Sequence, residues 1–105
     1  MNKGETQLIG QATPEQIEEW KNKYGKMWAI IVDGHICYLK KPDRKILGYA
    51  SVAGKDNPLK FNEVILTNCF VGGSEAVKTD DELFLGASSK LVDIIQVKEA
   101  ELVNL

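Results

Sequence analysis

The chain has little of what usually announces chemistry. Its 105 residues hold one histidine and two cysteines. Cys37 and Cys69 stand alone, with neither the density of a disulfide scaffold nor a C-x-x-C pair, and are expected as buried reduced thiols. His35 and Cys37 alternate by two and would share one side of a strand, but a third and fourth metal ligand at suitable spacing are missing. A lone histidine with two such thiols also makes no catalytic dyad that sequence can reveal. Gly72-Gly73-Ser74 lacks both the Lys-Ser/Thr of a phosphate loop and the third glycine of a dinucleotide turn. No cofactor, metal or catalytic residue is expected, and the chain does not read as an enzyme.

Other absences bound its surroundings. There is no run of about 18 apolar residues, so no membrane partner is expected, and MNKGETQLIGQA lacks the apolar core of a signal peptide. A cytoplasmic protein is expected. The net charge is -2, with eight basic and six acidic residues in 1–50 against five and nine in 51–105. Such a balance lacks the strongly basic field that nucleic acid attracts. No internal repeat or low-complexity linker divides the chain.

What remains is ordinary globular material, 44% apolar and 27% charged, enough for one core. Residues 1–12 read as a loose arm and 13–105 as a single domain. The stretch MWAIIVDGHICYLKKPDR, residues 27–44, carries the sharpest local signal. Asp33-Gly34 separates two runs of strand-forming residues, and this pair suits a two-residue turn whose central positions both need positive φ. The implied register sets Val32 opposite His35, Ile31 opposite Ile36, Ile30 opposite Cys37, Ala29 opposite Tyr38 and Trp28 opposite Leu39. Around the hairpin, Thr13-Pro14-Glu15-Gln16 predicts a helix over 14–24 stopped by Gly25. Pro42-Asp43 opens a second over about 43–53. Asn57-Pro58 opens a third over about 58–71, its apolar arc so wide that it should be the most buried. Thr79-Asp80-Asp81-Glu82 reads as a capping box rather than a cation site. It starts a last and longest helix reaching about residue 96, after which Val97, Leu102, Val103 and Leu105 either extend the stripe or cap the core. The expected fold class is α+β, a β-hairpin packed against three to four helices in the order α-ββ-α-α-α. Its expected core includes Trp20, Trp28, Ile30, Ile36, Tyr38, Leu47, Phe61, Val64, Ile65, Phe70, Leu83, Phe84, Leu91 and Ile94.

Neither face of the hairpin is polar, and an isolated two-stranded ribbon is only marginally stable in water. Each strand also has an outer edge, with no proline or interior lysine between Trp28 and Val32 to discourage pairing with another chain. The candidate partner-binding residues are Ile31, Ile36 and Tyr38 on the ribbon. Lys40, Lys41, Arg44 and Lys45 join them as a basic cluster facing acidic surface, such as the acidic half of a neighbouring copy. A homo-oligomer, most simply a dimer, is expected.

The segment from Trp20 to Arg44, with Trp-x-x-Lys-Tyr-Gly and Tyr38-Leu39-Lys40-Lys41-Pro42-Asp43-Arg44, resembles small proteins encoded in phage and prophage structural gene cassettes. Leu66 to Gly73, Asp81 to Leu85 and Val97 to Leu102 add to the likeness, which spans about 85 of the 105 residues as an overall pattern. The resemblance implies a non-enzymatic, helix-rich protein of the tail-assembly chaperone kind or a minor structural protein. Such a chaperone oligomerises and coats the tape-measure protein while a tail tube forms. The alternative is a small enzyme or ligand-binding regulator with a pocket that sequence does not reveal.

Overall fold

Strands β1 (Met27–Val32) and β2 (His35–Lys40) form the hairpin in the register read from the sequence, all five pairs included. Asp33 at φ 47° and Gly34 at φ 80° supply the left-handed positions that the two-residue turn requires. The computed structural model describes residues 7–95 and 99–105. Helix α1 (Pro14–Tyr24) begins with the expected capping box: the Thr13 hydroxyl accepts from the Gln16 N–H at 3.1 Å and the Gln16 side chain accepts from the Thr13 N–H at 3.0 Å. Helix α2 (Arg44–Ala53) is capped by the Asp43 carboxylate, which accepts from the Ile46 N–H at 2.8 Å. Helix α3 (Pro58–Cys69) is capped by Asn57. Its inner side contributes three fully buried residues, Ile65, Leu66 and Cys69.

The first departure from expectation lies at the end of α3, which stops two residues short. Phe70–Gly73 is a third strand, β3, paired antiparallel to β2 in the strand order β1-β2-β3. Leu39 faces Phe70 and Tyr38 faces Gly72, so Val71 is the extra residue of a bulge. The two glycines that look like a chain break are what let this strand lie where it does. A Cβ on Gly72 would come within 2.7 Å of the Trp20 ring, and one on Gly73, at φ 118°, within 2.6 Å of the Cys37 Cα.

The second departure is at the arm. Residues 7–12, its described part, are tied to the hairpin: the Ile9 N–H donates to the Gly34 carbonyl and the Ile9 carbonyl accepts from the Ile36 N–H, both at 2.9 Å. The Ala12 N–H donates to the Tyr38 hydroxyl at 3.1 Å.

The third is in the C-terminal part, where no long helix forms. A single turn α4 (Ala76–Thr79) precedes α5 (Asp81–Ser88) and a second short turn α6 (Leu91–Ile94). Asp80, rather than Thr79, caps α5 by accepting from the Leu83 N–H at 3.0 Å. Gly86, Ser88 and Ser89 are poor helix formers, and the Ser89 hydroxyl donates back to the Gly86 carbonyl at 2.8 Å. The break lets the chain turn and bury Leu91 and Ile94 beside Ala87. The longest helix among the described residues is therefore α3. Val97 lies outside the described residues. Residues 99–105 are not helical, and Leu102, Val103 and Leu105 are exposed, so they neither extend the stripe nor cap the core.

The core lies between the sheet and the helices and contains Ile30, Cys37, Leu39, Ala50, Ile65, Leu66, Cys69, Val77, Ala87, Leu91 and Ile94. Trp28, Leu47, Phe61, Val64, Phe70 and Phe84 pack on its margin. On the opposite face of the sheet, Trp20 of α1 lies against Tyr38 with ring centroids 5.3 Å apart. No helix among the described residues is long and apolar enough to cross a membrane.

Candidate functional site

Backbone hydrogen bonding divides the two hairpin strands. On the far side of β2 the pairing runs from Ile36 to Leu39: β3 covers Cys37 to Leu39, the Ser74 N–H donates to the Ile36 carbonyl at 2.9 Å, and Ile9 takes the Ile36 N–H. Both backbone groups of Ile36 thus point away from β1. The Ile31–Ile36 pair is then of the non-hydrogen-bonded kind, and the N–H and C=O of Ile31 point outward, as do those of Ala29 two residues earlier. Among the described residues no backbone group meets them from that side. The outer edge of β1 is left open among the described residues.

Side chains shape this edge into a groove. Trp28, Ala29, Ile30 and Ile31 form one wall and Lys90, Asp93 and Ile94 the other, enclosing about 260 Å³. Ile31 is 60% exposed on the face away from α6. No proline, bulge or inward charge interrupts β1, the devices by which edge strands are usually protected. Lys26, at the entry to the strand, holds its ammonium 5.3 Å from the centre of the Trp28 ring.

The structure splits the seven candidate partner-binding residues. Ile36 and Tyr38 are withdrawn from any surface, at 7% and 5% exposed. The third strand takes the far side of β2, α1 lies over the face of the ribbon at Tyr38, and the Tyr38 hydroxyl is engaged by Ala12 of the arm. Ile31 remains exposed. Lys40 is half-buried with its ammonium 5.2 Å from the centre of the Tyr24 ring. Lys41, Arg44 and Lys45 are exposed, and no ion pair among the described residues involves them. They sit at the opposite end of the hairpin from Ile31. Lys40 lies four residues along β2 from Ile36, about 13 Å at the rise of an extended strand. The hydrophobic and basic candidates therefore form two surfaces.

The groups with chemical potential are occupied structurally. The His35 Nδ1 lies 2.8 Å from the Ser74 hydroxyl, a buried group that anchors the end of β3. Cys37 and Cys69 are fully buried, and desolvation pushes both thiols up to about 11, against smaller opposing effects from the Ile30 backbone on Cys37 and from the Lys40 ammonium on Cys69. Among the described residues no group of three or more His, Cys, Asp or Glu is placed to hold a metal ion. Sequence reasoning missed Lys90, Asp93 and Ile94 as neighbours of β1. That contact depends on the turn after Ser88, and no local pattern encodes the pairing. Compared with protein-family models, curated proteins and solved structures, the chain matches none of them.

Proposed function

We propose that this chain is a non-enzymatic protein-binding module that associates with itself along β1, serving in assembly of the phage-tail chaperone or minor structural kind. The observation that carries the reading is the edge of β1 left open among the described residues, with Ile31 exposed beside a groove, while the far side of the neighbouring strand β2 is taken by β3 and the Ile9 segment. An exposed, apolar, unguarded edge strand is a template for adding another strand. The assembly role rests on the resemblance of residues 20–44 and 66–73 to phage structural-cassette proteins, whose partner would be the tape-measure protein or another tail protein. The exposed Lys41, Arg44 and Lys45 offer such a partner a basic contact for acidic surface, separate from the self-association edge.

The test is light scattering over a concentration series, on the wild type and on Ile31→Lys. Self-association raises the mass above the 11.7 kDa of one chain as concentration rises, and Ile31→Lys returns it to that value. A mass of one chain at every concentration contradicts the reading. Co-expression with a tape-measure protein tests the assembly role: a complex that survives purification and is weakened by reversing the charges of Lys41, Arg44 and Lys45 supports it.

A further inference from the structure

Self-association leaves open what lies on the edge of β1, and the chain carries a segment suited to it. Residues 99–105, Glu-Ala-Glu-Leu-Val-Asn-Leu, have Leu102 and Leu105 fully exposed and Val103 two-thirds exposed. Three large apolar side chains in seven residues, uncovered within a single copy, are an unusual cost in water. The segment contains no proline or glycine, and its seven residues are enough to span the six of β1.

We propose that the segment Glu99–Leu105 of a second copy adds to the outer edge of β1 as a fourth strand, and that two copies exchange these segments reciprocally. This rests on the self-association reading above and names its contact. As a strand, the segment places Val103 and Leu105 on one face and Leu102 on the other. The edge is apolar on both faces as well, with Ile31 on one and Trp28, Ile30 and Ile94 on the other. The outward N–H and C=O groups of Ala29 and Ile31 supply the ladder. Charge agrees with the match: the segment brings Glu99 and Glu101 and no cation, while Lys90 lines the groove and Lys26 stands at the start of β1, against Asp93 as the single acidic residue of the lining. Position agrees too. Ile94 of α6 forms a groove wall and precedes the segment by only five residues, at most about 18 Å of extended chain, so the segment starts within reach of the groove region. A reciprocal exchange in which each copy gives and receives one segment closes on a two-fold axis. Within one copy the segment lies exposed rather than on its own edge, which makes the second copy the occupant.

The test uses two full-length variants, one with its acceptor edge blocked (Ile31→Lys) and one with its donor blocked (Leu102→Asp with Val103→Asp). All three altered side chains are exposed, so thermal melts of both variants should match the wild type. Each variant alone should dissociate with a constant raised about tenfold or more. Mixed in equal amounts they should partly recover association, because the intact segment of the first fits the intact edge of the second and restores one of the two contacts. A donor-blocked variant that associates like the wild type overturns the exchange and leaves self-association standing. Loss of association in each variant without recovery in the mixture also overturns it, since the segment would then act elsewhere. A wild type of one-chain mass at all concentrations removes the self-association reading itself.

Discussion

Strand β1 reads Met-Trp-Ala-Ile-Ile-Val and β2 reads His-Ile-Cys-Tyr-Leu-Lys, and by composition either suits the middle of a sheet. Only β2 is there. Its four residues Ile36 to Leu39 are all buried, its two faces are covered by the core and by Trp20, and its second edge is shared between β3 and Ile9. In β1 only Ile30 is buried, and the outward groups of Ala29 and Ile31 meet no partner among the described residues. The difference teaches that apolar sequence decides which residues seek cover, while the number of segments available decides which of them receive it. Two segments of this chain pair along the far side of β2, and none of the described ones pairs along the outer edge of β1.

The sharpest way to break this contrast is to place the same charge on each strand. Ile36→Lys buries an ammonium between two ladders and should cost more than about 4 kcal/mol, enough to abolish the cooperative unfolding transition in urea. If that variant melted like the wild type, β2 would not be the centre of the sheet. Leu39→Ala and Leu91→Ala remove fully buried side chains and should each lower stability by about 2–5 kcal/mol, seen as a shift of the denaturation midpoint.

The closure of the second edge can be probed through Gly72. Gly72→Ala drives a methyl group against the Trp20 ring and should cost about 1–3 kcal/mol. Pairing it with Trp20→Leu, which opens that space, should make the two effects clearly non-additive in a double-mutant cycle. Additive effects would mean that β3 does not approach the sheet under Trp20.

The hairpin, its register and the first three helix starts were legible because each is written locally: Asp33-Gly34 in the turn, Thr13 with Gln16, Asp43 and Asn57 at the caps. Strand β3 was hidden because Phe70-Val71 continues the apolar arc of α3, and the following glycines look like a break rather than a close approach. The third strand then changed the meaning of Ile36 and Tyr38, which a two-stranded ribbon would have exposed. The turn after Ser88 was equally hidden, since Leu83, Ala87, Leu91 and Ile94 keep a helical spacing through a stretch whose glycine and serines fail to hold a helix. Of the candidate site, Ile31 and the basic cluster were readable, whereas the groove wall of Lys90, Asp93 and Ile94 exists only in the fold.

The thiols sharpen the comparison more gently, since Cys37 belongs to β2 and Cys69 abuts β3. Both should resist a disulfide reagent at pH 8 in the native state and react fully once unfolded. Fast labelling without denaturant would show that the second edge opens. Because burial raises each thiol to about 11 from an ordinary value of 9.0, the folded state holds protons that the unfolded state releases. Stability from this source is fully present below about pH 9 and is lost as pH rises towards 11, so the melting temperature should fall across that window. Replacing both cysteines by alanine should flatten that fall. The smallest effect on folding belongs to Ile31→Lys, expected within about 0.5 kcal/mol of the wild type while association is lost. A large loss of stability there would place β1 inside the fold and remove the contrast.

The contrast itself is measured most directly by amide hydrogen exchange, followed residue by residue in dilute and in concentrated protein. The outward amides of Ala29 and Ile31 should exchange rapidly when dilute and become protected as concentration rises, while the Ile36 amide, held by Ile9, stays protected throughout. Protection of Ala29 and Ile31 that is already complete in dilute protein, or that never grows as the particles enlarge, would contradict an open edge at which the chain associates.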